Sequence, residues 1–145
     1  MPIQKIGRIE SNQSGFLVHI RSSSVRLVAT DEVVQAALLA AFSVNADLEL
    51  DVFQGTNLVQ RVNAFTVNTK AKKDEVSRIA TQIDMESGAS LLEIFVVQAN
   101  NSERTFAIRS QVLQRICIGA ALAKVALQLK LQDTEVIGAS IPPPA

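Results

Sequence analysis

The sequence predicts an α+β fold of two tandem, pseudo-symmetric ββαββ units, mostly antiparallel sheet with two helices packed on it. Three observations carry that expectation. The chain matches itself at an offset of 79 residues, two amphipathic helical stripes carry cap residues at equivalent places, and alternating apolar segments flank each stripe.

At this offset Phe16 meets Phe95, Val18 meets Val97, Ser23 meets Ser102, Val33 meets Val112 and Gln35 meets Gln114. Ala41, Leu48 and Leu50 then meet Ala120, Leu127 and Leu129, making eight identities over the 37 positions from 16 to 52. Average composition would produce about two or three.

Each copy opens with an apolar strand, Phe16 to Ile20 and Phe95 to Ala99, followed by a polar turn at Arg21–Ser24 and at Asn100–Glu103. A short second strand carries Leu27 and Ala29, or Phe106 and Ile108, completing a hairpin in each copy. Asp31 and Ser110 stand at N-cap positions, with side-chain oxygens suited to orphan backbone N–H groups. From there Val33, Val34, Ala37, Leu38 and Ala41 form a helical stripe, and Val112, Leu113, Ile116, Cys117 and Ala120 repeat it.

After each helix comes an alternating strand, Asp47–Val52 and Ala126–Leu131, then a turn at Gln54–Thr56 and at Gln132–Thr134. A β-branched strand closes each copy, Leu58–Val67 and Glu135–Ile141, with a bulge near Phe53 to absorb the one-residue difference. Val76–Met85 fits a helix through Val76, Ile79, Ala80 and Ile83, but its β-branched residues favour a strand. The expected organisation is one domain over residues 1–145. The first unit covers 3–67, a connector 68–75, the second unit 76–141 and a loose polyproline tail 142–145.

Fourteen basic residues balance fourteen acidic ones, so the protein has no long-range field to steer a polyanion or an anionic membrane toward it. The N-terminus has no apolar signal core and no apolar run approaches a membrane span, which gives a cytoplasmic expectation. One cysteine, Cys117, excludes an internal disulfide, and its Ile neighbours predict an inert buried thiol. The six glycines are scattered singly, so no phosphate-binding loop is present, and no cofactor is expected.

His19 is the only histidine and has no nucleophile beside it apart from the turn serines Ser22–Ser24, so no catalytic residue is assigned. Asp47, Glu49 and Asp51 share one strand face, where successive carboxylates stand about 6.5–7 Å apart. That is too far to chelate a cation unaided, and a solvated or ion-paired face is expected rather than a metal site. Lys70, Lys72 and Lys73, with Arg61, are the candidate nucleic-acid contacts, although no Tyr or Trp is available to stack on bases.

The helices are apolar beyond their core stripes. Leu39 and Ile118, with Phe42 and Leu122, are the candidate contacts between chains, and small residues such as Ala40, Gly119 and Ala123 permit close approach of another backbone. The leading expectation is therefore a non-catalytic binding or assembly module acting as a homo-oligomer. Single-stranded nucleic-acid binding is the alternative, and an enzyme with a site shared between chains comes third.

Overall fold

The computed structural model describes residues 3–142, so the last three residues of the expected tail lie outside the described residues. In chain order the elements are β1 (Ile6–Asn12), β2 (Gly15–Ile20), β3 (Arg26–Ala29), α1 (Glu32–Ser43), β4 (Leu50–Val52), β5 (Val59–Val62) and β6 (Phe65–Thr66). They continue with β7 (Val76–Ile83), β8 (Ser90–Val97), β9 (Glu103–Ile108), α2 (Gln111–Ala123), β10 (Gln128–Gln132) and β11 (Glu135–Ser140). The fold is α+β with mostly antiparallel sheet. Val76–Met85 is strand rather than helix over its first eight residues.

Three strands, not two, precede each helix, the additional ones being β1 and β7. The expected strand Leu58–Val67 is interrupted. Asn63 N turns to Glu49 O, leaving β5 paired with β4 and β6 paired with β7.

The helices begin where their caps dictate. Asp31 is extended, and its Oδ1 accepts from Val33 N at 2.8 Å and Val34 N at 3.1 Å. Ser110 does the same for α2 with one longer bond, 3.5 Å from Leu113 N. Past the helix ends Asn45 and Lys124, 79 residues apart, adopt left-handed φ values of 54° and 59°. The stripe of α1 is buried as expected, whereas Val112 of α2 is 64% exposed and lies off the core. The buried positions of α2 are Gln114, Cys117, Ala120 and Ala121, so its core face is rotated one step from the expected stripe.

In each half a three-stranded antiparallel meander, β1-β2-β3 or β7-β8-β9, is followed by an antiparallel pair, β4-β5 or β10-β11. A parallel contact joins meander to pair: Val28 N donates to Asn57 O at 2.8 Å, and Ala107 N donates to Thr134 O at 3.0 Å. The other edge meets the residue entering the first strand. Leu48 N donates to Gln4 O at 2.6 Å, and Leu127 N donates to Asp74 O at 2.9 Å.

Chain irregularities recur as well. The pairing register slips between Ile6 and Arg8 and between Val76 and Arg78, and again between Asp51 and Val52 and between Lys130 and Leu131. Because both halves carry the second bulge, it does not account for the length difference expected near Phe53.

The pairings also correct the register of the first hairpin strands. Phe16 pairs with Ala29 while Phe95 pairs with Thr105, so the residue placed like Phe16 is Leu92, opposite Ile108. The shift is three residues, and an odd slip exchanges the two strand faces.

One continuous apolar core runs through both halves. They are joined where β6 pairs with β7 through Phe65 and Ile79, where Val62 N donates to the buried Thr81 Oγ1 at 2.9 Å, and where α1 packs against β7 and β8.

Candidate functional site

Helices α1 and α2 approach each other through their N-terminal turns, where Gln111 Nε2 donates to Glu32 Oε2. Below this contact opens a groove of about 290 Å³, lined by Phe16, Glu32, Gln35, Ala36 and Leu39 on one side and Gln111, Gln114, Arg115 and Ile118 on the other. Four residues of each helix stand exactly one 79-residue offset apart, pairing Glu32 with Gln111, Gln35 with Gln114, Ala36 with Arg115 and Leu39 with Ile118.

Both walls are fixed by the same device. Gln35 Nε2 donates to Ala29 O at 2.9 Å, and Gln114 Nε2 donates to Ile108 O at 3.0 Å, tying each helix to the strand before it. Each bond satisfies the glutamine amide and fixes the start of its helix against its own sheet.

The structure thus brings Leu39 and Ile118 together. Leu39 is 44% exposed at the rim, Ile118 is half-buried, and Phe42, one turn along α1, is 42% exposed. Leu122 lies elsewhere: it is half-buried and lines a separate cavity with Ser43, Thr66, Thr69 and Lys124. A side chain added at Gly119 would meet nothing within 4 Å, so no backbone of this chain comes close there, while Ala40 is buried in the core.

The candidate basic contacts separate in the same way. Lys70 and Lys72 line one cavity, whereas Lys73 is exposed outside it. Arg61 is taken up by Asp51, with Nη2 2.6 Å from Oδ2, and also reaches Gln82. This accounts for one of the three alternating carboxylates. Asp47 stands 3.7 Å from Lys5 Nζ, and Glu49 is exposed. Among the described residues no three His, Cys, Asp or Glu side chains are grouped as a metal site requires.

His19 lies on β2 with Nε2 3.1 Å from Glu10 Oε1 and 3.3 Å from Arg8, and has no hydroxyl partner. Cys117 is buried in α2, and burial pushes its thiol up to about 11, which leaves it protonated and unreactive at neutral pH.

Two carboxylates are held below their ordinary range. Glu103 is lowered first by the hydroxyl of Ser77 and then by Arg78, whose guanidinium also stacks on Phe95 with 4.2 Å to the ring centre. Asp84 is lowered first by the backbone N–H of Glu86 and then by Arg109, which also binds Glu135 and so ties the β7–β8 turn to β11. Both arrangements brace strands and neither leaves a reactive group free.

No described helix is long and apolar enough to cross a membrane. Comparison with protein-family models, curated proteins and solved structures finds no match.

Proposed function

We propose that the chain is a non-catalytic assembly module built from two copies of one unit, and that it associates with a second copy of itself through the groove between α1 and α2. The observation that carries this reading is the pair Leu39 and Phe42, left 44% and 42% exposed beside Ile118 on helices whose opposite faces are in the core. Isolated exposed apolar residues are ordinary. Here Leu39 lines a groove together with Ile118, and Phe42 stands one turn further along the same helix.

A second copy is favoured as occupant because the groove is self-complementary in charge. Glu32 stands on one wall and Arg115 on the other, so a twofold-related copy can set each against its opposite. Zero net charge removes the general repulsion between copies. Covering the exposed part of each large apolar side chain contributes roughly 1 kcal/mol, which suits reversible association.

Support for two copies of one unit comes from features spaced 79 apart: the first residues of the helices, the Gln35 and Gln114 hydrogen bonds, the left-handed residues after each helix and the second bulge.

A second reading, single-stranded nucleic-acid binding, is favoured by the connectivity. A three-stranded meander, a helix and a strand pair, joined through a parallel contact, correspond to the OB-type barrel, whose second and third strands and adjoining loops take up oligonucleotides elsewhere. Connectivity alone carries no function. On the matching face Arg8 is already paired with Glu10 at 2.6 Å, and the chain has no Tyr or Trp.

Light scattering over a dilution series tests the leading reading. A mass that falls toward the 15.6 kDa monomer on dilution is expected. A monomer at every concentration up to millimolar would overturn it.

A further inference from the structure

The cavity holding Lys70 and Lys72 has a third basic wall that is distant in the chain. Lys124, the residue that ends α2, lines it together with Asn68, Thr69 and Glu75. We propose that Lys70, Lys72 and Lys124 form a binding site for a phosphate-bearing anion, separate from the groove between the helices.

The cavity is about 420 Å³ and opens to solvent. Its floor is built. Asn68 is buried, donates through Nδ2 to Glu75 Oε1 at 3.1 Å, and accepts from Lys70 N at 3.1 Å, which fixes the chain where the lysines emerge. Glu75 Oε1 also accepts from Lys72 N at 3.2 Å. The one carboxylate of the lining thus accepts an amide and a main-chain hydrogen bond through Oε1.

None of the three lysines lies within ion-pair distance of a described carboxylate, whereas Lys5, Arg8, Arg61, Arg78 and Arg109 all do. Three ammonium groups against one carboxylate leave a surplus of two positive charges, and like charges gathered this way favour an anion. Oxyanions accept charge-assisted hydrogen bonds from ammonium groups, and phosphate offers several acceptors at once. Thr69 and Lys124 also line the adjoining cavity of about 440 Å³ beside Ser43 and Thr66, so a ligand with more than one phosphate can extend along the same polar track.

The shared chemistry is the phosphate group, whether on a small metabolite or in a nucleic-acid backbone. The test is calorimetric titration of the full chain with inorganic pyrophosphate in low salt, and in parallel with a short oligothymidylate. Saturable binding to at least one probe is expected. Lys124→Gln and, independently, Lys70→Gln and Lys72→Gln should each weaken it about tenfold, as the loss of one charge-assisted contact implies. Lys73→Gln, an equal change in charge outside the cavity, should leave it unchanged.

Tighter binding of the oligonucleotide with the same lysine dependence identifies a backbone ligand, and binding of pyrophosphate alone identifies a small phosphate compound. All four positions are exposed, so circular dichroism should show folded variants. Absence of binding to both probes would overturn the proposal. So would an equal loss in Lys73→Gln and Lys124→Gln, which would mark a diffuse charge effect.

Discussion

Helices α1 and α2 keep one spacing down to single hydrogen bonds. Residue 35 donates its side chain to residue 29, and 79 places on, residue 114 donates to 108. The hairpins before them do not keep it. Ile20 pairs with Ile6, and its counterpart in pairing, Val96 with Val76, lies at offsets of 76 and 70. The difference lies in what each element answers to. A helix tied to its preceding strand by a cap and a glutamine tolerates no insertion between them. A hairpin turn projects into solvent, as Asp84–Ala89 does with Met85 93% exposed, and accepts extra residues at little cost.

The sharpest way to probe the comparison is to cut equivalent positions of the two helices. Leu38 and Cys117 occupy the same place and are both fully buried. Leu38→Ala should cost about 2–5 kcal/mol in denaturant unfolding, by transfer plus cavity. Cys117→Ala should cost only about 1 kcal/mol, because far less is removed. Equal losses would mean that the two helices do not share a packing role.

A smaller difference is expected at the caps. Asp31→Ala removes two hydrogen bonds and should cost about 1 kcal/mol, while Ser110→Ala removes one long bond and should cost about 0.5 kcal/mol. Thermal melts of the two variants would read the order, and a reversed order would break the argument from cap geometry.

The second half alone carries a Ser-bound carboxylate, Glu103, whose folded pKa is depressed chiefly by Ser77. A depressed carboxylate adds stability above its ordinary value near 4.5, and that contribution is lost as pH falls through the lower folded value. Glu103→Gln should therefore flatten the acid limb of the stability curve while changing neutral stability by under about 1 kcal/mol. An unchanged acid limb would remove Glu103 from that role.

These contrasts mark what could be read in advance. The helices were legible because cap and stripe are local: Asp31, Ser110 and a 3.6-residue apolar period need no knowledge of distant chain. The hairpin register was not. Phe16 and Phe95 match by identity, yet strands rich in apolar residues on both faces remain credible when slipped by three, and only pairing with Ala29 and Thr105 decides between the faces. Val112 was misplaced for a related reason, since Gln114 rather than an apolar residue fills the buried position beside it.

Of the candidate surfaces, Leu39 and Ile118 followed from helices apolar on more than one face. Their polar frame of Glu32, Gln35 and Arg115 emerged only when the helices were side by side. Lys124 carried no signal beyond a basic residue at a helix end, because its neighbours Lys70 and Lys72 come from the connector.

The most direct test of self-association is the mass of Leu39→Glu, read by light scattering alongside its circular dichroism. Leu39 is 44% exposed in the single chain, so the substitution leaves the core intact and the helical signal should persist. Against a second copy it sets an unpaired carboxylate into an apolar contact, at a cost of several kcal/mol. A folded variant of smaller mass than the wild type is the predicted result; a folded variant of unchanged mass would contradict the account.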